Sequence, residues 1–273
     1  MLASLENNRL LAGGQSLMPM LNMRYAMPDH IIDLNRVEGL ASILITGSEL
    51  VIGAMTRQRD IEFSAEIQSG CPIMTEAIRH VGHRQTRNRG TIGGSLCHLD
   101  PSAELVTLCA LLDATVTAVG PDGQRDIPFA QFPIGYMTSA LQPNECLTRI
   151  SIPLWPPTHG YGFVEFARRH GDFAIVSAAA LLELDASSTI LRASVALGGV
   201  GYAPRRMTEI ETGILGQKAG SELWAEAAKA CSKIEALDDV HASSSYRRRL
   251  AVAMARRALQ AAGDRALANL QRH

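Results

Sequence analysis

A chain of 273 residues has room for one large domain or for two to three small ones sharing a continuous core. With 47% hydrophobic and 19% charged residues it sits among ordinary globular proteins, which excludes disordered, collagen-like and disulfide-scaffold classes. Lys and Arg number 26 against 27 Asp and Glu, so the chain lacks the basic excess that a phosphate-gripping nucleic-acid binder needs.

The first third alternates glycine-rich turns with short apolar runs. HIIDL (30–34) reads as a buried strand, and SILIT and ELVIG, split at Thr46 to Ser48, as a hairpin that opens a second unit near residue 45. Helical spacing of apolar residues follows in 56–67 and again in 71–82, the latter with Pro72 suited to a first helical turn. A polar, glycine-broken loop (83–96) is expected next, then a helix over 100–113 with Asp100 as N-cap and Pro101 at its first position. ATVTAVG (114–120) alternates as a strand and PDG (121–123) is its turn. Three prolines and a glycine in PLWPPTHG (153–160) mark a second boundary. Beyond it, three strand-like runs (161–169, 173–184 and 191–200) predict an antiparallel meander, and two helices (221–234 and 245–262) close the chain.

Five cysteines, Cys71, Cys97, Cys109, Cys146 and Cys231, form no C-x-x-C pair, which fits a reducing cytoplasm. An iron–sulfur cluster needs about four thiolates at set spacings, so any such centre belongs to another polypeptide. The apolar stretches are too short to span a bilayer, and a basic segment with an apolar signal core is absent from the N-terminus.

Two segments carry the chemistry: LLAGGQSL (10–17) and RGTIGGSL (89–96). In each, adjacent glycines precede a small hydroxyl residue, a pattern that lets bare backbone N–H groups approach an anion. Neither has the lysine of a P-loop, and no G-x-G-x-x-G occurs in the chain. A pair of such cradles suits a diphosphate held between them, with Ser16, Thr91 and Ser95 adding hydroxyls. The same glycines also read as two tight turns.

The longer segments AGGQSLMPMLNMRYAMPDHIIDLNRV (12–37) and TRNRGTIGGSLCHLDPSAEL (86–105) resemble the two FAD-binding signatures of the medium, flavin-carrying subunit of molybdenum hydroxylases. This is the group of the carbon monoxide dehydrogenase medium subunit and the xanthine dehydrogenase FAD domain. FARRHGDFAIVSAAA (166–180) and ALDDVHASSSYRRRLAVAMARRAL (236–259) resemble that family's C-terminal domain, so the likeness covers nearly the whole chain. It implies an α+β protein: a p-cresol methylhydroxylase-type FAD fold of two small α/β subdomains (1–45 and 46–155), and a C-terminal domain (156–273) of a three-stranded antiparallel sheet with helices. It implies a first pyrophosphate loop at Leu11, Ala12, Gly13, Gly14, Gln15, Ser16 and Leu17, and a second at Thr91, Ile92, Gly93, Gly94 and Ser95. Glu104 and Leu147 match cofactor contacts, Asp100 is a secondary candidate, and Arg169 and Asp172 belong to a loop near the isoalloxazine. At Glu165 relatives often carry lysine, so that position is left outside the site. Relatives also have about one more strand and helix before the AGG loop, which implies a misplaced start or a trimmed first subdomain.

The resemblance further implies FAD as cofactor and electron relay to an external acceptor. The molybdenum cofactor and [2Fe-2S] clusters would lie on a large molybdenum-binding subunit and a small iron–sulfur subunit, in a dimer of heterotrimers. A flavin-free assembly subunit and a stand-alone flavin oxidase are the competing readings. Among other residues, His80, His83, Cys97 and His98 read as polar loop residues more readily than as metal ligands. Arg247, Arg248, Arg249, Arg256 and Arg257 read as a solvated helix face or as a dock for an acidic partner. Trp155 and Trp224 read as packing residues.

Overall fold

The structure is a computed structural model that describes residues 2–271. Its layers are built around two antiparallel sheets. A five-stranded sheet has the order Ile43–Thr46, Glu49–Gly53, Cys146–Pro153, Thr115–Gly120, Gly123–Pro128. Short helices between Gln58 and Leu111 cover it, and Leu50, Ile52, Ile61, Ile73, Leu108, Val116 and Ile150 fill the space between. In front of this unit lies a small parallel pair, Asn8–Leu11 with His30–Asp33. The second of these strands is mostly exposed rather than buried as its apolar sequence suggests, because a two-stranded ribbon has no second layer on that face.

The C-terminal sheet has four antiparallel strands, Gly160–Phe166, Val176–Leu184, Ile190–Gly198 and Arg205–Arg206, where the sequence pattern predicts three. The fourth is two residues long, too short for alternation to register, and pairs Ala196 and Leu197 with Arg206 and Arg205. The run VSAAALLEL carries apolar residues at both alternating sets of positions, rather than alternating with polar ones, because both of its faces are covered. Phe163, Ala179, Leu181 and Ala196 face the N-terminal core. Val176, Ala178, Ala180, Leu182, Val195 and Leu197 face the 27-residue helix Ser244–Leu270 and its neighbours.

Several local expectations change. The stretch 56–67 is two helices, Gln58–Phe63 and Ala65–Gly70, broken at Ser64, whose hydroxyl caps the second by accepting from Ile67 N. The supposed loop 83–96 contains the helices Arg84–Arg89 and Ile92–His98. Asp100 does not cap a helix. Its carboxylate accepts from Ser102 N at 2.8 Å in an Asx turn, and the helix starts later, at Glu104–Leu111. Arg247 leaves the solvated face assigned to it: it is 3% exposed and donates to the carbonyls of Ile175 (2.6 Å) and Gly199 (2.7 Å) and to Asp239 (2.6 Å). Trp224 is buried, and Trp155 is buried beneath the Arg192 guanidinium, 3.9 Å from its ring centre.

Candidate functional site

The first glycine turn leaves the strand Asn8–Leu11 and enters the helix Leu17–Asn22. Gly14 takes the left-handed conformation (φ 74°) that reverses the chain there. Among the described residues, the backbone N–H groups of Gly13, Gly14, Gln15 and Ser16 have no intramolecular acceptor, so four donors gather at one turn.

The second turn is built differently. Thr91 Oγ1 caps the helix Ile92–His98 by accepting from Gly94 N at 3.0 Å. Ile92 N donates to Thr56 O and Gly93 N to Ala54 O. Three donors read as a cradle are therefore already used inside the protein. The glycines here serve close packing: a Cβ on Gly93 would fall 2.6 Å from Ala54 O, and one on Gly13 would fall 2.2 Å from Arg89 O. The two turns thus pack directly on one another. Arg57 ties them further, donating to Arg89 O and to Asn35 Oδ1, while Asn35 Nδ2 donates to Ala12 O at 3.0 Å.

Between and behind these turns lies a cavity of about 740 Å³. Its wall brings together Ala12, Gly13, Gly14, Gln15, Ser16, Leu17, Thr91, Gly93, Gly94, Ser95, Asp100, Glu104, Leu147 and Asp172 from widely separated parts of the sequence. Three expected site residues stay off the wall. Leu11 ends its strand with the side chain against Gly14, Ile92 is wholly buried in the core, and Arg169 is exposed on the surface of its loop. The wall also holds Arg9, Gln58 and Cys146, which no motif announced, and His98, Gly171 and Phe173, which lie within the segments 86–105 and 166–180. Gln58 is buried with its Oε1 unpartnered and packed close to Gly90, where an added Cβ would fall 2.5 Å from it. Leu99, left-handed at φ 51°, ends the helix and turns the chain so that Asp100 reaches the wall.

Glu104 is the electrostatic centre of the wall. Burial pushes its carboxyl up to about 8, although it opens a helix, where the backbone dipole favours a negative charge. Desolvation wins because it shifts buried groups by up to about 3–5 pKa units, against roughly 0.3–1 kcal/mol for the dipole. Nearby, His80 Nδ1 lies 3.2 Å from Glu165 Oε1, and that hydrogen bond raises the imidazole. Burial lowers His98. No group of three or more His, Cys, Asp or Glu side chains able to hold a metal occurs among the described residues.

Two packed glycine turns, a gathering of free N–H donors and a cavity that the loop Gly171, Asp172 and Phe173 also reaches mark an α+β protein of the dinucleotide-binding class. Residues 1–155 match the family described as FAD binding domain in molybdopterin dehydrogenase, and residues 161–262 match the CO dehydrogenase flavoprotein C-terminal domain. The chain belongs to the family of FAD-binding medium subunits of molybdopterin dehydrogenases, that of the CO dehydrogenase medium chain, and is thus a subunit type found in oxidoreductase complexes.

Among its relatives, the 6-hydroxypseudooxynicotine dehydrogenase complex subunit alpha of Paenarthrobacter nicotinovorans is 38% identical over 96% of this chain and 88% of its own length. The carbon monoxide dehydrogenase medium chain of Hydrogenophaga pseudoflava is 34% identical over 94% of this chain and 90% of its own. Among solved structures, the carbon monoxide dehydrogenase of the same organism superposes with a TM-score of 0.93 at 34% identity, covering 97% of this chain and 92% of that one. Quinoline 2-oxidoreductase from Pseudomonas putida 86 gives 0.93 at 33% identity, covering 97% and 93%.

Proposed function

We propose that this chain holds FAD in the cavity between its glycine turns and relays electrons from iron–sulfur clusters on a partner subunit to an external acceptor. The observation that carries the reading is the cavity itself, about 740 Å³ and bounded by both turns, with four unused N–H donors at its first turn. Those residues fit the cofactor. Gly13, Gly14, Gln15 and Ser16 would bind its diphosphate, Ser16 and Ser95 offer hydroxyls, and Leu147 gives an apolar surface. Bound there, FAD would supply redox chemistry in steps of one or two electrons, and the protein would supply binding, orientation and electrostatics. The loop carrying Gly171, Asp172 and Phe173 reaches the same wall and would set access to the cofactor.

The complex would pair this chain with a large molybdenum-binding subunit and a small iron–sulfur subunit as a dimer of heterotrimers in the cytoplasm. Substrate oxidation would occur on the large subunit. The clamp would be of the p-cresol methylhydroxylase type, with boundaries near residues 45 and 155.

The test is an absorbance spectrum of the purified chain and its native complex, followed by heat release and identification of any yellow cofactor. Near-equimolar FAD is expected. Preparations that are colourless and remain so after added FAD would overturn the reading in favour of a flavin-free assembly role.

A further inference from the structure

Beside the cavity lies a group of cations that the fold leaves without counter-charges. Arg168, Arg169 and His170 are exposed on the loop whose next residues, Gly171, Asp172 and Phe173, line the cavity. Asp172 N donates to Arg169 O at 3.2 Å, so a single turn separates these cations from the wall. The loop rests on the start of the helix Ser244–Leu270. Arg168 donates to His241, the Phe166 and Tyr246 rings meet with centroids 6.3 Å apart, and the Arg249 guanidinium sits 5.7 Å from the Tyr246 ring centre. Among the described residues, no carboxylate pairs with Arg168, Arg169, Arg249 or Arg256. Asp239 is engaged by Arg247, which leaves Asp172 and Asp238 as the opposing acids of the loop and the helix start. The whole chain has a net charge of -1, so the excess of positive charge here is local.

The surface is also wide. Arg256 follows Arg249 by seven residues, two turns on the same helix face and about 10 Å along the axis. The helix carries it away from the loop along the strand Gly160–Phe166, since Tyr246 meets Phe166 while Ala258 packs at Gly162. Phe173, 66% exposed on the cavity wall, and Val240, 93% exposed next to His241, add apolar area. Cations spread over more than one element, with apolar residues among them, exceed what a small molecule at the cavity would touch. They have the make-up of a small, charge-steered protein interface.

We propose that this basic surface is where the external electron acceptor docks, and that the acceptor is a carrier protein with an acidic face around its redox group. This rests on the reading of the cavity as an FAD site. An electron carrier must come close to the cofactor and leave again quickly. Charge steering serves both needs, because it raises the encounter rate by about 10- to 1,000-fold while rim charges add little to the lifetime of the complex. Each carrier molecule takes one electron, so two of them reoxidise the two-electron-reduced cofactor, and its two protons pass to water.

The experiment uses the purified native complex, with flavin content read from its absorbance spectrum, reduced by dithionite and freed of the excess under nitrogen. Stopped-flow reoxidation is followed with cytochrome c, with succinylated cytochrome c, whose lysines carry carboxylates instead of ammonium groups, with ferricyanide and with neutral benzoquinone. The succinylated protein is expected to react about tenfold faster than the unmodified one at low salt. That advantage is expected to vanish between about 20 and 300 mM salt as screening shortens the reach of the charges. Arg168→Gln combined with Arg249→Gln is expected to slow the succinylated protein about tenfold at low salt and to flatten its salt dependence. Flavin content, melting temperature and the benzoquinone rate are expected to stay unchanged. Equal rates for the two cytochromes, or a benzoquinone rate that falls as far as the protein's, would overturn the proposal while leaving the FAD site standing. So would slowing confined to ferricyanide, which would assign the cations to a small anion. An effect of the double variant seen in the free chain but absent from the complex would overturn it too, because a partner subunit then covers the surface. A complex without flavin would overturn both readings.

Discussion

At the scale of single residues, the two glycine turns look alike in sequence and do different work. Gly14 needs its left-handed backbone, and its neighbours Met18 and Leu11 leave a Cβ only tight space at 3.2 and 3.3 Å. An L-residue pays roughly 1–2 kcal/mol for that conformation. Relaxing it would turn the free N–H groups away from the cavity. Gly93 has no donor left to lose, because its N–H is already bonded to Ala54 O, but a Cβ there would collide with Ala54. Overpacking of this kind costs about 1–3 kcal/mol. Gly93→Ala is therefore expected to lower the melting temperature by roughly 5 °C while keeping most of its flavin at low temperature. Gly14→Ala is expected to lose more than about tenfold in FAD affinity for a smaller thermal loss, since a displaced charge-assisted donor is worth about 1.5–3 kcal/mol. Flavin-to-protein ratio and thermal unfolding, measured on both, decide it: flavin loss in Gly93→Ala at an unchanged melting temperature would restore the second turn as a donor.

At the scale of elements, the loop that reaches the cavity with Gly171, Asp172 and Phe173 is fixed at its base. Ile175 N donates to Phe166 O, closing the loop, and Ile175 O accepts from buried Arg247. Arg168 adds a contact to His241, in the same segment as Asp239. Burial pushes Asp239 up, but the hydrogen bonds from Arg247, Ala242 N and His241 N outweigh it and hold the carboxyl down at about 2. Arg247→Met is expected to cost about 3 kcal/mol in urea unfolding, because charge-assisted bonds to two carbonyls and a half-exposed carboxylate are lost together. Faster hydrogen exchange across 167–175 is expected with it, and unchanged exchange there would show that the loop is held by other means. Arg247 also marks a limit of reading from sequence. On SYRRRLAVAM it is one arginine among several, and only the wrapping of Ile175, Gly199 and Asp239 around the helix start distinguishes it. The turns themselves were legible from their glycines, but not that Thr56, Ala54 and Thr91 take the N–H groups of the second one. Gln58, Arg57 and Cys146 were not legible as site residues, since they reach the cavity or its rim through contacts with residues distant in the chain, and no spacing encodes those. The helix start moved from Asp100 to Glu104 for a similar reason: an Asx turn and an N-cap share the same side-chain signal.

At the scale of the whole molecule, the C-terminal sheet is the middle layer of the protein and not an appended unit. One of its faces belongs to each core, and Phe163, Ala179, Leu181 and Ala196 are buried only because the N-terminal helices stand against them. Polar ties cross the same seam. Glu76, on the helix Pro72–Ile78, accepts from Phe163 N and pairs with Arg265 on the C-terminal helix, and Ser194 Oγ donates to Leu111 O at 2.5 Å. Full burial of a large apolar side chain contributes about 1.5–3 kcal/mol, so uncovering this face removes a stabilisation comparable to the whole net stability of a typical domain. The Pro-rich stretch 153–160 thus punctuates the chain without dividing its energetics. A fragment of residues 156–273 made alone is expected to bind a hydrophobic dye strongly and to associate or unfold without a sharp thermal transition. Adding residues 1–155 as a separate chain is expected to restore a cooperative transition and suppress dye binding. A monomeric fragment that melts cooperatively and binds no dye would show instead that the sheet needs only the long helix behind it, and that the cavity lies between two independently stable bodies.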